Sequence, residues 1–153
     1  MPSDGGLLRD LVLACPPLDV HTPYTYWVQS AYFSSQCFIA ERAGEPVGFL
    51  TSVGSGSRIL LWQIGVLPEA RSQGIALDLV RAMVSWARSH GADSFDVSIA
   101  PDNAASLALF ERCAADVNGR LERRSAIDLR DSRDPDFREV EVIYCFHLGP
   151  STD

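Results

Sequence analysis

The sequence predicts an α/β domain on a mixed, mainly antiparallel sheet, and two features carry that reading. Residues 59–67, 72–89 and 94–100 read in turn as an apolar run, a segment of helical period and an alternating stretch. A right-handed crossover makes the two strands of such a β-α-β unit parallel and adjacent. Upstream, Ala43-Gly44-Glu45-Pro46 and Gly54-Ser55-Gly56-Ser57 are turn signals between apolar segments, short enough to require antiparallel pairing.

Each element follows from local pattern. Leu7–Cys15 reads as a short helix stopped by Pro16-Pro17. A helix from about Tyr24 to Phe33 ends the aromatic-rich stretch 18–33, in which Tyr26, Trp27, Tyr32 and Phe33 are expected to pack internally. Cys37–Glu41 and Val47–Val53 form a hairpin, and Ile59–Leu67 is the next strand. In the helix 72–89, Ala76, Leu79, Val80, Met83, Val84 and Ala87 share one face, opposite Asp78, Arg81, Ser85 and Arg88. Gly91 ends it as a residue free to turn left-handed, with His90 in the last turn. Ser94–Ala100 alternates as a strand, Pro101-Asp102-Asn103 opens a helix through Ala115, and Glu139–Leu148 is a final strand. The basic-acidic stretch 119–138 has no assignable pattern.

At 153 residues the chain is a single domain, 1–153, with the 46% apolar and 22% charged residues of an ordinary globular protein. No apolar run reaches the roughly 18 residues of a membrane span. The N-terminus lacks a basic segment ahead of its apolar residues, which argues against a secretory signal. Cys15, Cys37, Cys113 and Cys145 have no metal-like spacing and are expected to pack as small hydrophobes in a reducing cytoplasm, with no metal site. A net charge of −7 argues against nucleic-acid binding and suits a cationic small substrate.

The chemistry concentrates at the corner Val66-Leu67-Pro68-Glu69-Ala70-Arg71-Ser72-Gln73-Gly74-Ile75-Ala76. A helix N-terminus after a strand offers free amides and a positive dipole end, and small residues let an anion approach the backbone. Gly74 and Ala76 supply the closeness, and Arg71 adds a forked donor for phosphate. The sequence contains neither G-x-x-x-x-G-K-[ST] nor G-x-G-x-x-G.

Arg71-Ser72-Gln73-Gly74-Ile75-Ala76 resembles the Arg/Gln-x-x-Gly-x-Gly/Ala pyrophosphate loop of the GNAT superfamily of N-acetyltransferases. Asn103-Ala104-Ala105-Ser106-Leu107-Ala108-Leu109-Phe110 resembles that superfamily's N-x-x-A-x-x-L-Y/F. The resemblance implies a GNAT fold, in which a splayed parallel strand pair, flanked by helices, opens where residues 64–67 end. It implies acetyl-CoA as donor, held by Ile64, Val66, Arg71, Ser72, Gln73, Gly74, Ile75, Ala76, Asn103 and Phe110. The amide of Val66 would face the thioester carbonyl as an oxyanion donor. Many relatives carry tyrosine at position 110 to protonate the leaving thiolate; Phe110 cannot donate that proton.

Residues 15–27, 60–66 and 100–110 are further similar to the family of L-2,4-diaminobutyrate acetyltransferases of ectoine biosynthesis, over about Asp4 to Ala115. That resemblance implies a diamino-acid acceptor held by Asp19, Thr22, Tyr24, Trp62, Gln63 and Glu141, and a homodimer. The residue types suit the task, since an acid and aromatic faces favour a diammonium compound. Asp19 could equally cap a helix and Trp62 lie in the core. The family usually has a strand ahead of the segment matching Asp4–Leu13, whereas this sequence starts at that segment, so either an edge strand is missing or the start lies further upstream. Its His-Glu-x-Glu pattern appears as Arg138-Glu139-Val140-Glu141, and an arginine cannot serve as a base.

A primary amine must lose a proton before it attacks a thioester, and Glu141 or Glu139, directly or through water, is the expected base. His21 is a lesser candidate for substrate contact. His90 fits a helix end and His147 a strand end. Two alternatives stay open: an acetyltransferase for another small amine, such as a polyamine, another diamino acid or a drug amine, and a non-catalytic acetyl-CoA-binding module.

Overall fold

The computed structural model describes residues 4–150. Helices α1 (Asp4–Leu13) and α2 (Pro23–Tyr32) come first, then strands β1 (Phe38–Arg42), β2 (Glu45–Ser55) and β3 (Arg58–Val66). Helix α3 (Ile75–Ser89), strand β4 (Ser94–Ile99) and helix α4 (Ala104–Asp116) follow, and β5 (Arg120–Asp131) and β6 (Asp134–His147) close the chain. The sheet runs β1-β2-β3-β4-β6-β5, with the β3–β4 pair parallel and its other neighbours antiparallel.

The two faces of the sheet bury different partners. Leu50 faces the main core with Ile59 and Leu61 of β3, Leu79, Val80 and Met83 of α3, and the stacked Phe95–Phe146 pair, whose centroids lie 4.7 Å apart. Its neighbour Phe49 points the other way, into a second core with Leu8, Leu11 and Val12 of α1 and Tyr26 of α2. Alternation along β2 therefore holds both layers.

The helical and hairpin expectations hold with adjusted ends. The first hairpin turns on Ala43-Gly44 alone, both at positive φ, so Glu45 and Pro46 belong to β2. Helix α3 starts at Ile75 rather than 72, because Ser72 and Gly74 have φ of 62° and 81°. The stretch without pattern, 119–138, is strand: β5 pairs along β6 from Arg120↔His147 to Asp131↔Asp134. Asp131 Oδ1 accepts from the Arg133 amide at 2.8 Å and sets the turn. This hairpin is solvated over most of β5, so charged residues occur on both faces and erase the alternation. Trp27 and Tyr32 are not internal: α2 buries Tyr26, Gln29 and Ser30, leaving Tyr24, Trp27 and Tyr32 as an exposed aromatic row.

Two predictions follow from this packing. A Cβ on Gly65 would meet Phe49 Cε1 at 2.7 Å and Leu18 Cδ1 at 3.0 Å. Gly65→Ala should lower the unfolding free energy by about 1–3 kcal/mol, read as a fall in urea midpoint; an unchanged midpoint contradicts the packing. Burial raises the thiols of Cys15, Cys37, Cys113 and Cys145 above their ordinary pKa, Cys113 to about 11. A thiol reagent at pH 8 should therefore react slowly with the native protein and quickly after denaturation. A fast-reacting native thiol would be inconsistent with that burial.

Candidate active site

The site begins where two strands part. β3 and β4 share only the pairs Leu60↔Asp96 and Leu61↔Val97. Beyond them β4 follows β6, with Ser98↔Ile143 and Ile99↔Val142, while β3 follows β2 as far as Gly48↔Val66. The gap thus opens at Trp62, earlier than the expected 64–67. The cause is a bulge: Thr51 pairs with Gln63 and Ser52 with Leu61, so Trp62 has no partner on β2 and β3 bends there. The Leu67 amide donates to Val47 O at 2.8 Å. By alternation the amides of Ile64 and Val66 point the other way, into the gap.

On one side the gap runs into a cavity of about 440 Å³, within the range of small-molecule sites. Ile64, Val66, Arg71, Ser72, Gly74, Ile75, Ala76 and Asn103 all line it. Gly74, left-handed at the N-cap of α3, presents the first amides of the helix without a side chain above them. Arg71 Nε donates to Val66 O at 3.1 Å, which ties the corner to the strand end and leaves the rest of an exposed guanidinium toward the cavity. Asn103 Oδ1 caps α4 by accepting from the Ser106 amide at 3.0 Å. Two expected members are elsewhere. Gln73 is exposed at the corner but not on the cavity wall. Phe110 is 2% exposed in the main core. The cavity-facing side of α4 is Ala105, Ser106, Leu109 and Arg112, and one residue beyond Leu109 the helix has turned inward.

The other side carries the acids and aromatic rings. Gln63, 7% exposed, donates from Nε2 to Asp19 O at 2.7 Å, and its Oε1 has no partner among the described residues. That bond pins the segment ahead of α2 to β3 and leaves the Asp19 carboxylate exposed; it is Thr22, accepting from the Thr25 amide, that caps α2. Trp62 is 37% exposed, so it is not core, and its ring lies 5.3 Å from that of His21. Tyr24, 70% exposed, stacks toward Trp27 rather than Trp62.

Across the gap, Glu141 accepts from Ser98 Oγ at 2.6 Å. Ser98 follows Val97 as Trp62 follows Leu61, so the Ser98–Glu141 pair stands level with Trp62 where the strands separate. Glu139, also half-buried, shares that face of β6 by alternation. Arg138 falls on the opposite face, where it pairs with Asp128 at 3.2 Å. The carboxylate it holds is therefore one of this chain's own. Ser98 is a member the sequence reading missed, although its place on the polar side of Ser94–Ile99 marked it as facing away from the core. Among the described residues no cluster of His, Cys, Asp and Glu could hold a metal ion, and no helix is long and apolar enough to cross a membrane.

Known proteins are similar to this chain. The model of the acetyltransferase (GNAT) family matches residues 7–115. An L-2,4-diaminobutyric acid acetyltransferase of Halomonas elongata is 35% identical over 143 residues, covering 88% of this chain and 74% of the relative. Another, from Chromohalobacter salexigens, is 36% identical over 115 residues, with 72% of this chain and 60% of the relative covered. The chain thus spans between three fifths and three quarters of these two relatives. A solved diaminobutyrate acetyltransferase from Paenibacillus lautus, in complex with L-2,4-diaminobutyric acid and coenzyme A, superposes with a TM-score of 0.80 at 26% identity, over 96% of this chain and 90% of that one. The ribosomal-protein-S18-alanine N-acetyltransferase of Escherichia coli superposes at 0.78 with 15% identity, over 99% of this chain and 92% of that one, a likeness of fold alone.

Proposed function

The chain belongs to the acetyltransferase (GNAT) family, and from that premise we propose that it transfers acetyl from acetyl-CoA to the γ-amine of L-2,4-diaminobutyrate, the acetylation step of ectoine biosynthesis, as a cytoplasmic homodimer. The observation that carries the reading is the gap between β3 and β4. It joins a phosphate-binding cavity on one side to an acid- and aromatic-lined surface on the other, at a stretch of strand whose amides are free of the sheet. A relative 35% identical is named for this acceptor, and a solved neighbour of the same name is in complex with that acceptor and coenzyme A. Exposed Ile127, Leu129 and Phe137 on the β5–β6 hairpin offer apolar surface for a second copy.

The donor brings an acetyl thioester, an acyl group already activated for attack by an amine. Arg71 and the amides from Ser72 to Ala76 hold its pyrophosphate, and the strand edge at Ile64 and Val66 holds its arm. The Val66 amide, aimed into the gap, donates to the carbonyl oxygen as negative charge develops there, a contribution of about 3 kcal/mol in comparable sites. On the acceptor side, Asp19 and the faces of Trp62 and Tyr24 attract the ammonium groups. Gln63 presents Oε1, because its amide nitrogen is committed to Asp19 O.

The amine must be neutral to attack. With an ordinary pKa near 10.4, neutralising it at pH 7 costs about 4.6 kcal/mol. Glu141, one oxygen fixed by Ser98, accepts the proton, with Glu139 beside it as the second candidate. Arg138 is turned away and held by Asp128, so it takes no part in proton transfer. With Phe110 buried in the core, the departing thiolate takes its proton from water.

Thiol release from acetyl-CoA should be fastest with L-2,4-diaminobutyrate among that compound, ornithine, lysine, putrescine and an aminoglycoside, and the product should carry acetyl on the γ-nitrogen. A faster acceptor among the others would reassign the substrate. No release with any, despite tight donor binding, would indicate a binding module. Glu141→Gln keeps an acceptor for Ser98 but removes the base. Together with Glu139→Gln it should lower kcat/KM by about a hundredfold or more. If both single variants stay within about threefold of wild type, neither glutamate is the base.

A further inference from the structure

Arg112 is the one cavity-lining cation that the phosphate corner does not account for. It lies two turns along α4 from Ala105, on the stripe Ala105, Leu109, Arg112 that faces the cavity, at the end of a run of about 10 Å. Among the described residues its guanidinium has no hydrogen bond or ion pair. Its field reaches Asp116, but that carboxylate is already held by Arg81, at 2.9 and 3.1 Å.

The same Arg81–Asp116 contact fixes where Arg112 stands. α3 and α4 each follow one of the two parallel strands and run the same way, so the pair sets their stagger. One turn back from each partner, Leu77 of α3 and Arg112 of α4 both line the cavity. Arg112 thus lines the same cavity as Arg71 and the free amides at Gly74, but from α4. The corner itself supplies the donors a pyrophosphate needs. Coenzyme A carries a further anion, the phosphomonoester on its ribose, on the far side of the pyrophosphate from the thioester.

We propose that Arg112 binds the ribose 3′-phosphate of the donor and so makes the site selective for coenzyme A over its dephospho form. The proposal rests on the acetyl-CoA reading above. A guanidinium matches a phosphomonoester in both charge and fork geometry, and an arginine already committed to a carboxylate could not serve.

Calorimetric titration with coenzyme A and with dephospho-coenzyme A tests it. Wild type should bind coenzyme A about tenfold more tightly. Arg112→Gln should lose that preference by weakening coenzyme A alone, with dephospho-coenzyme A unchanged within twofold and the melting temperature unaltered. Arg112→Lys should restore part of it, and raised salt should shrink the wild-type preference. Equal weakening of both nucleotides by Arg112→Gln, or no weakening of either, overturns the assignment. If wild type binds neither nucleotide, the donor reading itself fails and this one with it.

Discussion

Everything in the site depends on how soon β3 and β4 stop pairing. Two parallel pairs hold them, and the strands then diverge. Had the ladder continued, the amides of Ile64 and Val66 would have donated to β4. A strand edge with unmet donors inside a fold is costly unless something else accepts from them. Here an extended ligand arm is the natural partner. The bulge that sets Trp62 opposite nothing on β2 starts the divergence, and Pro68 to Ala70 then turns the chain so that Arg71 reaches back to Val66 O. A local irregularity of one residue thus stands where the opening begins.

The opening stays open because each strand beyond the split is held by neighbours of its own. β3 beyond the bulge is packed through Gly65 against Phe49 and Leu18, and through Gln63 against the backbone at Asp19. The end of β4 is held by β6, and its inward residues Phe95, Val97 and Ile99 lie against α3 and α4. Closing the gap would require one of these packed faces to shift past the other, and close-packed interiors resist such shifts. Donor and acceptor surfaces therefore meet at a rigid seam.

Much of this was legible in the sequence because it was periodic. The stripe from Ala76 to Ala87 and the alternation of Ser94 to Ile99 identify the β-α-β unit, and its corner identifies an anion site. What was not legible depended on long-range register. The bulge at Trp62 follows from pairing with β2 and leaves no local mark. Phe110 fits a motif by position yet faces the core, since its direction is fixed by which side of α4 the sheet buries. The hairpin from Arg120 to His147 shows weak alternation because solvent covers most of β5, and only the buried end of β6 carries an apolar pattern. Trp27 and Tyr32 show the reverse error: aromatic residue type suggested burial, and the face of α2 decided otherwise.

The distribution of charge completes the design. Arg81, Arg120, Arg124, Arg130 and Arg138 each lie beside a carboxylate of the chain, in exposed pairs worth little to stability. Their consequence is electrostatic: a paired arginine adds little field at a distance, whereas Arg71 and Arg112, without acidic partners, direct theirs into the cavity. On a chain of net charge −7, a multiply charged phosphate ligand would otherwise be repelled. At the opposite mouth stand three acids, Asp19, Glu139 and Glu141, whose charge favours a cationic ligand. Anion and cation are thus drawn to opposite sides of one strand gap. Between those sides lies the opening that begins at the bulge at Trp62.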